Sequence, residues 1–344
     1  MAENVPLYFP PTGQDAWETV DPRSLGWDPT KLEDLFTYAE EHNSAGLVVL
    51  YRGRILAERY WKGAGPHTAG DVASVQKSVT SFLTGIARQE KLVDVEATVS
   101  SYLGQGWSNA PPEAESRITL RHLLTMTSGL NDNLEFEADA GAAWYYNTAA
   151  YHLVKAVVER ASGRTFAEYS AEKLFGPIGM SHSSWRERPA MLAPLGARAK
   201  AAGEQAKPLA GLVASTRDLA RFGLLMQAGG SWAGRALLSD RDYLKQSLSS
   251  SQQLNPSYGF LWWLNGKQSY VLPGRGRSGS GPLIPPAPAD VFCALGAGDK
   301  KVYVASSIGL VVARHGESAA VARSEALSSF DSELWQRVMA AAPR

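Results

Sequence analysis

The sequence predicts an α+β protein in which an antiparallel sheet, flanked by N- and C-terminal helices, is interrupted by an all-helical lobe. Three observations carry this expectation. β-rich runs gather near both ends of the 344 residues, helical periodicity dominates from about residue 92 to 210, and a last amphipathic stretch closes the chain. The expected organisation is a discontinuous sheet lobe (1–91 and 211–344), a helical lobe (92–210) and a site between them. The length is ample for a large core.

Taken in order, residues 1–28 read as an irregular arm, and Asp28-Pro29-Thr30 caps a helix to about His42. Gly46–Arg52 and Arg54–Tyr60 are strand-like runs parted by Gly53, a hairpin in shape. A polar loop leads to Asp71-Val-Ala-Ser-Val-Gln-Lys77, where a helix begins whose apolar face is Val75, Val79, Phe82, Leu83 and Ile86. Ile118–Gly129 is expected to be a helix ending on a C-cap glycine, with others over Thr148–Gly163 and Thr165–Phe175. Ser215-Thr-Arg-Asp218 opens a helix through Gln227. The short apolar runs 258–264, 290–295, 301–305 and 309–314 read as strands, and Ser318–Ala341 as the closing helix.

Composition narrows the function. Charged residues are 20%, with 34 basic against 34 acidic, so the chain offers no electrostatic footprint for nucleic acid or an anionic membrane. Cys293 is the single cysteine, which rules out an intrachain disulfide and suits a reducing compartment. The N-terminus lacks a charged segment followed by an apolar one, and no run of eighteen apolar residues occurs; a cytoplasmic protein is expected.

Three stretches carry chemistry. Ser74 and Lys77 lie three apart at a helix start, on one side of its first turn, where free N–H groups favour developing negative charge. A lysine desolvated by the apolar run around it can take the serine proton. Ser170-Ala-Glu-Lys173 has the same spacing but falls inside a polar helical segment and reads as a solvated face. Tyr145-Tyr146-Asn147 precedes the helix at Thr148; it offers a phenol and an amide, or simply a capping asparagine between buried aromatics. Cys293-Ala-Leu-Gly296-Ala297-Gly298 ends an apolar strand with glycines that allow close approach to a ligand, or mark an ordinary strand-to-turn junction.

In this order and spacing the three stretches resemble the active-site signature of the serine β-lactamase-like superfamily, in its class C branch. That branch holds class C β-lactamases, D-alanyl-D-alanine carboxypeptidases, family VIII carboxylesterases and 6-aminohexanoate-oligomer hydrolases. Leu123-Leu-Thr-Met-Thr-Ser-Gly129, Leu174-Phe-Gly-Pro-Ile-Gly-Met180 and Gly211–Leu219 match further stretches, and the likeness spans about residues 30–316. Met126 stands where histidine is common.

The resemblance implies Ser74 as nucleophile, Lys77 as general base and Tyr145 as the phenol relaying the proton, with Tyr146 one residue out of register. It implies Asn147 and Gly296 as substrate-lining residues and the N–H groups of Ser74 and Ala297 as the oxyanion hole. Trp107 and Trp144, which flank the motifs, are added as substrate-binding candidates, against the packing role usual for tryptophan. Where β-lactam- and peptide-cleaving relatives have Lys-Thr-Gly or His-x-Gly, this chain has Ala294-Leu295-Gly296. The backbone role survives and the cation is gone, unless Lys300, Arg275 or Arg277 replaces it.

Other patterns fall away. Gly274-Arg-Gly276-Arg-Ser-Gly279 fits a dinucleotide fingerprint, but the prolines at 282, 285, 286 and 288 forbid the helix it needs. The six histidines show no metal-ligand spacing. The expectation is therefore a serine hydrolase of small carboxylic esters, with no cofactor or metal and a small-molecule substrate. Linear amides, β-lactams and D-alanyl peptides are the alternatives on the same residues, and a catalytically silent binder of peptide or cell-wall fragments is the alternative from another class.

Overall fold

A computed structural model describes residues 6–274, 276–319 and 327–343. Helix α1 (Pro29–Glu41) starts where Asp28 accepts from the Thr30 N–H at 2.8 Å and Pro29 pre-sets the first turn. Strands β1 (Ser44–Tyr51) and β2 (Arg54–Tyr60) form the expected hairpin. Its turn places both Arg52 (φ 47°) and Gly53 (φ 84°) in the left-handed region, the geometry that matches strand twist.

Strand β3 (Ala69–Asp71) leads to α2 (Val75–Gln89), and α3 (Leu120–Leu124) and α4 (Thr148–Ser162) follow. Strands β4 (Ser184–Leu192) and β5 (Pro208–Ser215) precede α5 (Thr216–Gln227). Strands β6 (Trp263–Leu264), β7 (Phe292–Gly296), β8 (Lys300–Ala305) and β9 (Leu310–Gly316) lead to α6 (Ser329–Ala341). The main sheet runs β2-β1-β9-β8-β7-β6, antiparallel throughout, so strands from both ends of the chain meet at β1 and β9.

Alternation along β8 assigns its two faces. Lys301 and Tyr303 reach Asp331 of α6, whereas Val302 packs toward Gly223 of α5. A β-carbon on Gly223 would stand 2.4 Å from Val311 Cγ1, so this glycine lets α5 sit directly on the sheet. Helix α2 packs against the β7 end of the same sheet and against α4. It thereby joins the strand after Phe292 to the helix after Asn147. Among the described residues no helix is long and apolar enough to cross a membrane.

The structure corrects several element boundaries. Residues 92–210 are not all helical: β4 lies there, and β5 begins there, in a three-stranded sheet of order β3-β5-β4. The helix expected to end at Gly129 stops at Leu124, because Met126 takes a left-handed backbone (φ 61°). The closing helix begins at Ser329; residues 320–326 of the expected span lie outside the described residues. Ser170 is not on a solvated face. It is buried, donates to the Phe166 carbonyl and accepts from the indole N–H of Trp185, which packs over it from β4. The glycine-rich segment after Gly274 runs into a short strand at 278–280, not a helix.

A buried ionic group fixes α6 to the sheet. Lys301 Nζ lies 2.9 Å from Asp331 and 3.1 Å from Asp299, and the Tyr303 hydroxyl donates to Asp331 at 2.7 Å. The Asp331→Ala variant leaves that lysine one carboxylate short in a dry site. It is expected to lose about 3–5 kcal/mol of stability, read by urea denaturation against the parent chain.

Candidate active site

The approach to Ser74 is a tight bend. Asp71 Oδ1 accepts from the Ala73 N–H at 2.7 Å, and Ala73 itself is left-handed (φ 48°), a conformation that costs a non-glycine residue roughly 1–3 kcal/mol. The bend delivers Ser74 to the N-cap of α2 with its side chain free of capping duty. Asp71 also receives a bidentate pair from Arg188 of β4, at 2.7 and 2.6 Å, which ties the bend to the smaller sheet.

Lys77 lies one turn on, 2% exposed. Its amine is 3.1 Å from Ser74 Oγ and 3.3 Å from Thr148 Oγ1, and it stands over the rings of Tyr146 and Tyr151 at 4.8 and 4.7 Å. Among the described residues no carboxylate pairs with it. Burial, assisted by the positive charges of Arg188 and Lys155, depresses its pKa from the ordinary lysine range to about 7.

The phenol beside Ser74 belongs to Tyr146, not Tyr145. The Lys77 amine stands over the Tyr146 ring, and burial raises the pKa of this phenol above its ordinary value, against a smaller lowering by Ser74, so it stays protonated. The Tyr145 hydroxyl instead donates to Asp132 at 2.8 Å. Backbone bonding fixes this register. The Met126 carbonyl accepts from the Tyr145 N–H and the Met126 thioether from the Asn147 N–H, which turns Tyr146 toward Lys77.

Asn147 is 1% exposed and fully engaged. It caps α4 through Ala150 N at 2.9 Å and donates to the carbonyls of Leu130 and Asn131 at 2.7 and 2.9 Å. Its capping role is the one realised, and Thr148, which the sequence reading passed over, presents its hydroxyl to Lys77. Helical phase is the signal that would have found it: with Asn147 as cap, Thr148 and Tyr151 fall three apart on the face toward α2.

The end of β7 closes on the same bend. A β-carbon on Gly296 would stand 2.5 Å from the Val72 carbonyl and 3.2 Å from Ser74 N, so only glycine allows this approach. Trp144 joins a cluster with Tyr146, Tyr258 and Trp263, in which Tyr146 stacks on Trp263 at 6.0 Å and Trp144 meets Tyr258 edge-on at 5.4 Å. The Trp144 indole N–H is buried without a hydrogen-bond partner. Ser78 of α2 donates to the Leu261 carbonyl at 2.7 Å and so fixes the loop carrying two of these rings. Trp107 is core, with its indole donating to Ser100, and is not part of this cluster.

Two measurements follow from this geometry. Tyr146→Phe is expected to lower kcat by about 10²–10⁴, with Tyr145→Phe within a few-fold of the parent; the reverse ranking would return the phenol role to Tyr145. Because only the neutral amine of Lys77 accepts a proton, kcat/KM is expected to rise with pH through about 7 and level above it. A Lys77→Arg variant, which cannot deprotonate, should lose both the activity and that acid limb.

Known proteins share the fold. An uncharacterized protein of Alkalihalophilus pseudofirmus is 26% identical over 267 residues, covering 71% of this chain and 75% of that protein. The structure of a candidate 6-aminohexanoate-dimer hydrolase from Bacillus anthracis superposes with a TM-score of 0.67 at 18% identity, over 98% of this chain and 89% of that one. A β-lactamase/D-alanine carboxypeptidase from Yersinia pestis, solved with citrate, superposes at 0.61 and 15% identity, over 90% and 98%. The model of the Beta-lactamase family matches residues 32–315, from α1 to the end of β9 and across Ser74, Lys77, Tyr146 and Gly296, and the chain belongs to that family.

Proposed function

We propose that this chain is a serine hydrolase that cleaves small carboxylic esters through an acyl-enzyme. The observation that carries the reading is the 3.1 Å contact between Ser74 Oγ and a buried Lys77 amine that no carboxylate neutralises. Such an amine is neutral near pH 7, takes the serine proton as the hydroxyl attacks, and needs no metal for that step. The Tyr146 phenol, held protonated beside Ser74, donates to the departing alkoxide and recovers its proton by way of Lys77. The N–H groups of Ser74 and Ala297 receive the oxyanion, a contribution typically worth a few kcal/mol. Water then attacks the acyl-enzyme, with the lysine–tyrosine pair working in reverse.

The ester preference rests on β7. Ala294 and Leu295 are buried and apolar and offer a substrate carboxylate no charge-assisted bond. Lys300, a possible substitute, has its amine beside Gly298 and 3.8 Å from Glu317, and Arg277 donates to the Pro273 carbonyl. Arg275 lies outside the described residues. The aromatic cluster around Tyr146 supports a short uncharged acyl group. Likeness to the candidate hydrolase of 6-aminohexanoate dimer supports a linear amide as the second reading.

The test is a parallel assay of p-nitrophenyl butyrate, nitrocefin and a linear amide on one preparation. The ester is expected to exceed nitrocefin by at least about a hundredfold in kcat/KM, and Ala294→Lys to narrow the gap. Ser74→Ala should abolish turnover of all three by about 10⁴ or more with folding intact. Equal efficiency on nitrocefin would overturn the ester assignment, and retained activity in Ser74→Ala would overturn the nucleophile.

A further inference from the structure

A second cavity of about 400 Å³ lies between α4 and strands β4 and β5, and its lining includes none of Ser74, Lys77 or Tyr146. Leu153, Phe166 and Trp185 supply apolar walls, and His152 and Lys155 of α4 supply polar groups. The size and the balance of many apolar to few polar groups are those of a small-molecule site.

Neither polar group is explained by folding alone. Lys155 is 7% exposed; its amine donates to the Ala210 carbonyl at 2.7 Å and lies over Trp185 at 4.7 Å and Tyr151 at 5.6 Å. Burial lowers its pKa to about 7; as an ammonium it has three donors, and among the described residues only one of these meets an acceptor and no carboxylate pairs with it. His152 is 9% exposed, and its Nε2 is buried without a partner. A buried lysine and an unpartnered imidazole on one cavity are costly unless something answers them. Two acidic residues also line the cavity and answer the lysine only at a distance: Glu159, whose charge favours the ammonium, accepts from the Phe166 N–H at 2.8 Å, and Glu187 is exposed at the mouth.

We propose that this cavity binds an apolar monocarboxylate, with its carboxylate on Lys155 and His152 and its chain against Leu153, Phe166 and Trp185. A carboxylate supplies acceptors to the lysine and to an imidazole N–H at once, which neither an alcohol nor an amine does. The assignment is independent of the ester reading, because no group of the Ser74 site contributes to the cavity. The two sites are nonetheless neighbours: Lys77 and Lys155 both stand against the one ring of Tyr151.

The experiment is calorimetric titration of octanoate, octanol and octylamine into the full chain, before and after capping Ser74 with a fluorophosphonate. Octanoate is expected to bind one to one, at least about tenfold tighter than either analogue, and equally well to the capped protein. Lys155→Met should bring octanoate to the octanol level and leave octanol unchanged. Ala156→Leu, which narrows the cavity and spares both polar groups, should weaken octanoate and octanol together. Absence of octanoate binding, equal affinity for all three probes, or undiminished binding in Lys155→Met would overturn the proposal, as would loss of binding on capping. Failure of the fluorophosphonate to label Ser74 would count against the hydrolase reading alone, since the uncapped titrations still test this site.

Discussion

The site is organised around one amine that the fold refuses to neutralise. Lys77 is surrounded by two hydroxyls and two phenol rings, and among the described residues no carboxylate pairs with it. A carboxylate at this position would hold the lysine charged and end its use as a base. The aromatic neighbours serve a double purpose: they exclude water from the amine, and one of them carries the phenol to which we assign the proton relay. The packing of α2 against α4 and β7 is what keeps this environment dry.

Holding the serine in place requires local conformations that are unfavourable by themselves. Ala73 and Met126 are both left-handed without being glycine, and each is fixed by neighbours: Ala73 by the Asp71 carboxylate, Met126 by the chain it accepts from at Tyr145 and Asn147. Gly296 completes the arrangement by lacking a side chain. Two left-handed residues and one glycine thus shape the segments around Ser74, while the sheet beneath them is antiparallel.

Much of the architecture was legible from the chain. The β1–β2 hairpin, the Asp28 cap, the 148–163 helix and the strands near the C-terminus follow from local pattern, because period and turn chemistry are local properties. The sheet within 184–215 was hidden, since Arg186, Glu187 and Arg188 break the apolar alternation that marks a strand. The segment containing Ser74 and Lys77 was legible because a serine at a helix start before an apolar face is a local feature too. The choice between Tyr145 and Tyr146 was not: two adjacent tyrosines differ only in register, and the hydrogen bonds that Tyr145 and Asn147 donate to the distant Met126 set that register. The buried state of Ser170 was missed for a similar reason, because its partner Trp185 comes from a strand that the local pattern hid.

The carboxylate of Asp71 has two clients, the turn that precedes Ser74 and the guanidinium of Arg188. A displacement of β4 therefore reaches the serine through a side chain and a backbone hydrogen bond, with no need for the core to move. The small sheet acts as a lever whose short arm is the Ala73 bend. Its long arm, the exposed stretch 189–192 at the end of β4, is the part of this linkage most open to contact from outside the molecule.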